Sequence, residues 1–391
     1  MNFETFLSDK VRNMKPSGIR RFFDLASEME GVISLGVGEP DFDTPWHIRE
    51  AAIYSIESGK THYTANQGLL TLREEICAYM KRRFNLSYDP VKNVVVTVGG
   101  SEAIDIALRA FINPGDEVIL TEPSYVAYTP GVELAGGKPV HVKLTHENEF
   151  KLTPEQLKAA ISDKTKVLLL NYPNNPTGGV MTKEDYELLV PIIKEHNLIV
   201  VSDEIYAELT YDGTFCSLAN FEEIKDQVVV INGFSKAFAM TGWRLGYTLA
   251  NEVFTKAMNK IHQYIIMSAP TAAQHGAIEA LRNGDIHVQE MKETYQSRRN
   301  FITKGFNRLG LPTHLPHGAF YIFPDIRKTG LSSDEFCERL LNDQKVACVP
   351  GTAFGDAGEG FIRVSYAYSI EHIKEALTRI EEFLEQFDLD K

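Results

Sequence analysis

Lys236 stands in "INGFSKAFAMTGWRLGY" (231–247), just after the strand-like run 228–231, and its flanks Phe234, Ala237, Phe238 and Met240 are apolar. A desolvated lysine has a lowered pKa, and its neutral amine is a nucleophile able to form a Schiff base with an aldehyde. The competing reading is a solvated loop lysine. Asp203 follows "IVVS" at the end of another strand-like run. A carboxylate held there can pair with a ring nitrogen, although turn and N-cap aspartates are common. Arg244 lies between Gly242 and Gly246 and beside Trp243, and can grip an anion bidentately; a surface ion pair is the alternative. "GGSEA" (99–103) opens a helical pattern, so free N–H groups and the positive end of the dipole are offered to an anion.

An amine for an aldehyde, a carboxylate for a ring nitrogen and a cup for a phosphate are together what pyridoxal phosphate needs. Two phosphate-loop lookalikes fail. "SGKT" (58–61) lacks the first glycine of a P-loop, position 54 being Tyr, and "GVGEPD" (36–41) lacks the third glycine of a dinucleotide fingerprint.

These residues need a scaffold. Strands are predicted at 93–98, 117–121, 138–144, 166–171, 198–202, 228–232 and 246–250, several of them near-continuous β-branched runs. Helical patterns such as "SEAIDIALRAFI" and "TKEDYELLVPIIKEH" lie between most of them. That alternation predicts an α/β fold with a mainly parallel sheet covered by helices on both faces. Only the lysine segment joins the last two strands, so one strand is expected to run against the rest. In such a sheet ligands gather beyond the carboxyl ends of the strands, where "GGSEA", "EPSY", "YPNNPTGG", "DEIY" and "GFSK" follow in turn. From about residue 285 the pattern reads as a smaller α+β domain. The expected division is 46–284 for a large domain, and 1–45 with 285–391 for a small one.

The bulk properties agree with an enzyme of this size. The chain has 391 residues, 43% of them hydrophobic, and a net charge of −13, which leaves a nucleic-acid role without an electrostatic footprint. Cys77, Cys216, Cys337 and Cys348 are scattered, so neither a metal site nor a disulfide scaffold is expected, and reduced thiols in the cytoplasm are the default. No signal peptide or membrane span is read from the sequence.

The chain resembles the class I/II, fold type I pyridoxal-phosphate aminotransferases over nearly its whole length. It is most similar to the branch with bacterial and archaeal aspartate, aromatic and acetyl-diaminopimelate-type aminotransferases. The carrying motifs are "LGVGEPDFDTP" (35–45), "HYTANQGLLTLR" (62–73), "TVGGSEAI" (97–104), "NYPNNPTG" (171–178), "SDEIY" (202–206), "SKAFAMTGWRLGY" (235–247), "GAFYIFP" (318–324) and "FIRVSYA" (361–367). The resemblance implies that Lys236 is the Schiff-base lysine and proton carrier, and that Asp203 pairs with the ring nitrogen. Asn175 and Tyr206 would hydrogen-bond the phenolic oxygen, and Tyr125 would stack on the ring. Gly100, Ser101 and Glu102 would offer backbone N–H groups to the phosphate, with Arg244 beside them and Tyr63 arriving from the neighbouring subunit of a homodimer. Arg363 would clamp the substrate α-carboxylate, helped by Gly38 and Asn175. Plainer roles compete: core aromatics for Tyr125 and Tyr206, a turn for Asn175-Pro176, a structural ion pair for Arg363. Where many relatives carry a phosphate-binding serine, this chain has Gly233, and Ser235 is the expected substitute.

The implied reaction moves an amino group from an L-amino acid to a 2-oxo acid such as 2-oxoglutarate. "SGIRRFFDLA" (17–26) is similar to the same segment of aromatic aminotransferases and favours an aromatic or broadly hydrophobic donor. Aspartate or an acyl-diaminopimelate is the rival, with Arg20 or Arg21 as the second cation that a dicarboxylate needs. A carbon–sulfur lyase of the same fold is a further alternative. A regulator built on this domain would carry an N-terminal DNA-binding module, for which the start of "LGVGEPDF" at residue 35 leaves no expected room.

Overall fold

The computed structural model of the chain describes residues 3–14, 18 and 29–387. Seven strands form the central sheet: Val94–Thr97, Glu117–Glu122, Lys138–Lys143, Thr165–Asn171, Ile199–Asp203, Val228–Gly233 and Gly246–Leu249. All seven coincide with the expected strands to within a residue or two. From one edge the spatial order is 94–97, 246–249, 228–233, 199–203, 165–171, 117–122, 138–143. The strand 246–249 is antiparallel to both its neighbours, and every other pairing is parallel. The reversal has a local cause. Between Gly233 and Gly246 lies only a single short 3-10 turn, Thr241–Trp243, too little chain for a crossover back to a parallel start.

Period-2 alternation explains the near-continuous apolar runs. Leu168, Leu170, Val200, Val228 and Val230 pack into one core with Leu72, Ile76 and Met80 of the helix Leu70–Phe84. Val167, Leu169, Val201, Val229 and Ile231 face the opposite core, with Ile106 and Ala107 of the helix Gly99–Phe111 and Met258 of the helix Glu252–Ile265. Successive side chains of each strand thus enter different cores, and both faces must be apolar.

A third core gathers Leu35, Ile302, Phe306, Phe336, Ile362 and Phe383 around a three-stranded sheet, Val349–Pro350, Ile362–Ser365 and Tyr321–Ile322. The helices Asp285–Arg308, Ser333–Gln344 and Ile370–Leu384 cover it. The short strand Ile33–Ser34 pairs in parallel with Val346–Ala347, which draws residues 35–38 towards Arg363. Among the described residues no helix is long and apolar enough to cross a membrane, all four cysteines are free, and no group of His, Cys, Asp and Glu side chains could hold a metal.

Candidate active site

Three parallel strands end in register, with Asn171 beside Asp203 and Asp203 beside Ile231. Their carboxyl ends release the Asn175 turn, the Asp203–Tyr206 corner and the Lys236 segment on one edge of the sheet. There they border a cavity of ≈ 440 Å³.

The lysine segment is shaped by its backbone. Ala239 (φ 51°) and Arg244 (φ 52°) are left-handed, a region costly for non-glycine residues and held here by packing. Thr44 fastens the segment, donating to Ala239 O at 2.6 Å and accepting the Trp243 indole N–H at 3.0 Å. Lys236 Nζ donates to Gly38 O at 2.7 Å and lies 5.6 Å from the Phe320 ring centre. Burial lowers its pKa to about 8; Arg363 and Arg244 push the same way, while Glu39 and Asp203 oppose.

Asp203 is buried, and burial raises its carboxyl to about 6. The rise is restrained by the Tyr128 hydroxyl, which donates to Oδ2 at 2.6 Å, and by the Ile205 N–H at 3.2 Å. Asn171 Nδ2 donates to Asp203 O at 3.0 Å and so locks the strand end. Tyr206 and Tyr321 share a hydrogen bond between hydroxyls at 2.9 Å, and burial holds the Tyr206 phenol well above its usual range.

Arg363, 3% exposed, donates through one terminal nitrogen to Asn175 Oδ1 at 3.0 Å and through the other to Gly36 O at 2.5 Å. Its Nε is buried without a partner. Tyr321 and Phe354 sandwich the guanidinium at 4.5 and 4.8 Å. Among the described residues it has no carboxylate partner, so the structural ion pair weighed from the sequence is not formed there.

The glycine-opened helix fits the phosphate of pyridoxal phosphate. A Cβ on Gly99 (φ +73°) would lie 2.6 Å from an Arg244 terminal nitrogen, and one on Gly246 would lie 2.8 Å from Gly100 N. Side chains are thus kept off a cradle of backbone and guanidinium at the cavity edge. Gly38, Gly100, Ser101, Tyr125 and Ser235 also border the cavity, with Asn175, Asp203, Tyr206, Lys236, Arg244 and Arg363.

Two of the residues singled out from sequence stand apart. Glu102 does not border the cavity; its side chain bonds Val98 N–H and His262. Tyr63 is 82% exposed and lies outside this cavity. Arg20 and Arg21, with Phe22 and Phe23, lie outside the described residues. The cavity is also lined by residues the sequence reading did not single out, among them Tyr128, Tyr321, Glu39 and Thr241. Tyr128 had a signal, because it falls three residues after Tyr125 at a helix start, and Tyr321 lies in a motif quoted for its resemblance alone.

The class that the fold and site define is confirmed by comparison with known proteins. The family model for aminotransferase class I and II matches residues 30–380. The chain is 55% identical to the putative aminotransferase YugH of Bacillus subtilis, over 97% of this chain and 98% of that one. It is 45% identical to aromatic-amino-acid aminotransferase 2 of Thermococcus litoralis, again over 97% and 98%. The structure of aspartate aminotransferase from Thermus thermophilus with maleate superposes with a TM-score of 0.92 at 40% identity, covering 96% of this chain and 99% of that one. The chain belongs to the class I and II aminotransferase family and has its fold type I architecture. It is a pyridoxal-phosphate-dependent aminotransferase.

Proposed function

We propose that the protein transfers the amino group of an aromatic or broadly hydrophobic L-amino acid to a 2-oxo acid such as 2-oxoglutarate, with Lys236, Asp203 and Arg363 as the working groups. The reading is carried by one observation: a buried lysine amine with a pKa of about 8 shares a cavity with a buried carboxylate and a buried arginine that has no carboxylate partner among the described residues.

Bound in this cavity, pyridoxal phosphate supplies an aldehyde for covalent capture and a ring that withdraws electrons from the substrate. Lys236 Nζ supplies the nitrogen for that capture. As a free amine Lys236 Nζ would take the substrate Cα proton, and its lowered pKa suits a base near neutral pH. Asp203 is ionised above about pH 6 and holds a proton on the ring nitrogen, aided by Tyr128. Tyr206 and Asn175 orient the phenolic oxygen. Tyr125 covers the ring face. Gly100, Ser101, Ser235 and Arg244 hold the phosphate, with the Glu102 N–H. Arg363 takes the substrate α-carboxylate as a fork, satisfying the orphaned Nε, while Gly38 lines the same end. The segment 46–284 then serves as the cofactor-binding domain, and 1–45 with 285–391 as the domain that delivers Arg363.

Tyr63 reaches the phosphate of a second subunit in this reading, so the working enzyme is a homodimer. Support comes from large apolar side chains left exposed in the single chain, among them Trp46, Tyr54, Leu70, Tyr264 and Ile265.

Ile104, Val126, Ile205, Tyr125 and Tyr321 give an otherwise polar cavity apolar and aromatic surface. Beyond Lys236, Arg244 and Arg363 no described cation borders it, and Glu39 adds a negative charge. Among the described residues no further cation meets a second substrate carboxylate, which supports an aromatic or aliphatic side chain; Arg20 and Arg21 lie outside those residues. The aspartate aminotransferase likeness supports the rival dicarboxylate reading. Mixing the pyridoxal-loaded enzyme with a panel of amino acids, and following loss of the bound-cofactor absorbance, separates the two. Phenylalanine, tyrosine and leucine are expected to react fastest; aspartate or glutamate reacting faster would overturn the preference. Release of pyruvate and thiol from a cysteine conjugate would mark a lyase instead.

A further inference from the structure

Behind the phosphate cradle lies a buried acid–base pair that the reaction does not use. Glu102 (8% exposed) sits in the first turn of the helix Gly99–Phe111, and His262 (0% exposed) on the helix Glu252–Ile265 packed against it. One Glu102 oxygen accepts the Val98 N–H at 2.5 Å, and the other lies 2.5 Å from His262 Nδ1. His262 Nε2 is 2.8 Å from Asn66 O.

The hydrogens can be counted. Asn66 O can only accept, so Nε2 carries a hydrogen. The short Nδ1–carboxylate contact holds a second one. Either the ring is an imidazolium beside a carboxylate, or it is neutral beside a carboxylic acid. The pair has zero net charge both ways.

That neutrality matters because of what stands next to it. Val98 leads directly into Gly99, Gly100 and Ser101, and Arg244 packs against Gly99. An uncompensated carboxylate here would sit in the same helical turn as the cradle. It would oppose the helix dipole and Arg244, in a place where solvent screens little. Its Val98 bond also fixes the backbone just before the cradle, and the Asn66 bond ties in the loop that carries Tyr63.

Resting on the cofactor reading above, we propose that His262 is a positioning residue: it cancels the charge of Glu102 and braces the first turn of the helix, so that the cradle accepts a dianionic phosphate. The cost of losing it falls on the phosphate end of the cofactor and not on the aldehyde end.

The experiment titrates the apo-protein with pyridoxal phosphate and, separately, with pyridoxal, following absorbance of the bound form. His262→Asn is expected to weaken pyridoxal phosphate by on the order of tenfold, about 1.4 kcal/mol, and to leave pyridoxal affinity unchanged. Adding Glu102→Gln to His262→Asn removes the stranded charge and is expected to restore most of the lost affinity. Equal weakening of both ligands, or a double variant no better than the single, would overturn the inference. Should His262→Asn not fold, His262→Gln carries the same comparison. Wild-type protein that takes up neither ligand would instead bring down the cofactor reading itself.

Discussion

Replacing Tyr128 with phenylalanine tests how the ring-facing carboxylate is tuned. The tyrosine hydroxyl donates to Asp203 Oδ2 at 2.6 Å, and both residues are buried. The substitution keeps the ring that meets Tyr125 edge-on and removes one donor to a carboxylate. A hydrogen bond to a charged group contributes about 1.5–3 kcal/mol, and one pKa unit corresponds to about 1.4 kcal/mol. Burial already raises Asp203 to about 6, and the tyrosine opposes that rise. Its loss therefore moves the carboxyl further up, by about one unit if the lower end of the range applies. Because the ionised form is the one that pairs with the ring nitrogen, cofactor affinity falls as pH drops through the Asp203 value. In Tyr128→Phe that acidic limb is expected about one pH unit higher than in the wild type, with the half-reaction on an amino acid slowed about twofold at pH 7 and about tenfold well below pH 6. Titration of apo-protein with pyridoxal phosphate across pH 5–8, combined with stopped-flow absorbance, reads both. An acidic limb that stays in place with an unchanged half-reaction would refute the assignment of Tyr128 as the group that keeps Asp203 ionised.

Two other perturbations address the groups on either side. Arg363→Lys keeps a positive charge but loses the fork, so half-saturation for amino and oxo acids is expected to rise about 30- to 100-fold while the cofactor still binds; unchanged half-saturation would remove Arg363 from substrate binding. Lys236 must lose its proton before it can attack an aldehyde, so the rate of pyridoxal phosphate uptake is expected to climb as pH rises through about 8, and borohydride should then fix the label on the peptide containing Lys236. A pH-independent rate, or a label elsewhere, would show that another amine does the capture.

The sheet was legible because its strands are buried on both faces. Runs such as Val228–Val229–Val230–Ile231 must be apolar at every position when successive side chains enter different cores, and few other structures ask for that. The antiparallel strand could be read from chain length alone, since the lysine segment is too short to cross over. The catalytic candidates were legible for a related reason. Asp203 ends a strand, and Asn175 and Lys236 stand within four residues after one, so the end of the strand predicts where the side chain arrives. The spacing of Arg363 from these motifs carried no such information. Its place depends on how the three-stranded sheet sits against the large one.

What the sequence alone determined is therefore the inventory: a dry lysine, a strand-end aspartate, a glycine-opened helix and the fold that aligns them. Each follows from local rules of periodicity, turn chemistry and helix-end charge. Only the tertiary structure decided the partners. Tyr128 on Asp203, Gly38 O on Lys236, Asn175 with Gly36 O on Arg363, and His262 on Glu102 join residues 75, 198, 188, 327 and 160 positions apart. A hydrogen bond depends on distance and direction in space, which chain separation does not encode, and so the tuning of the site appears only once the chain is folded.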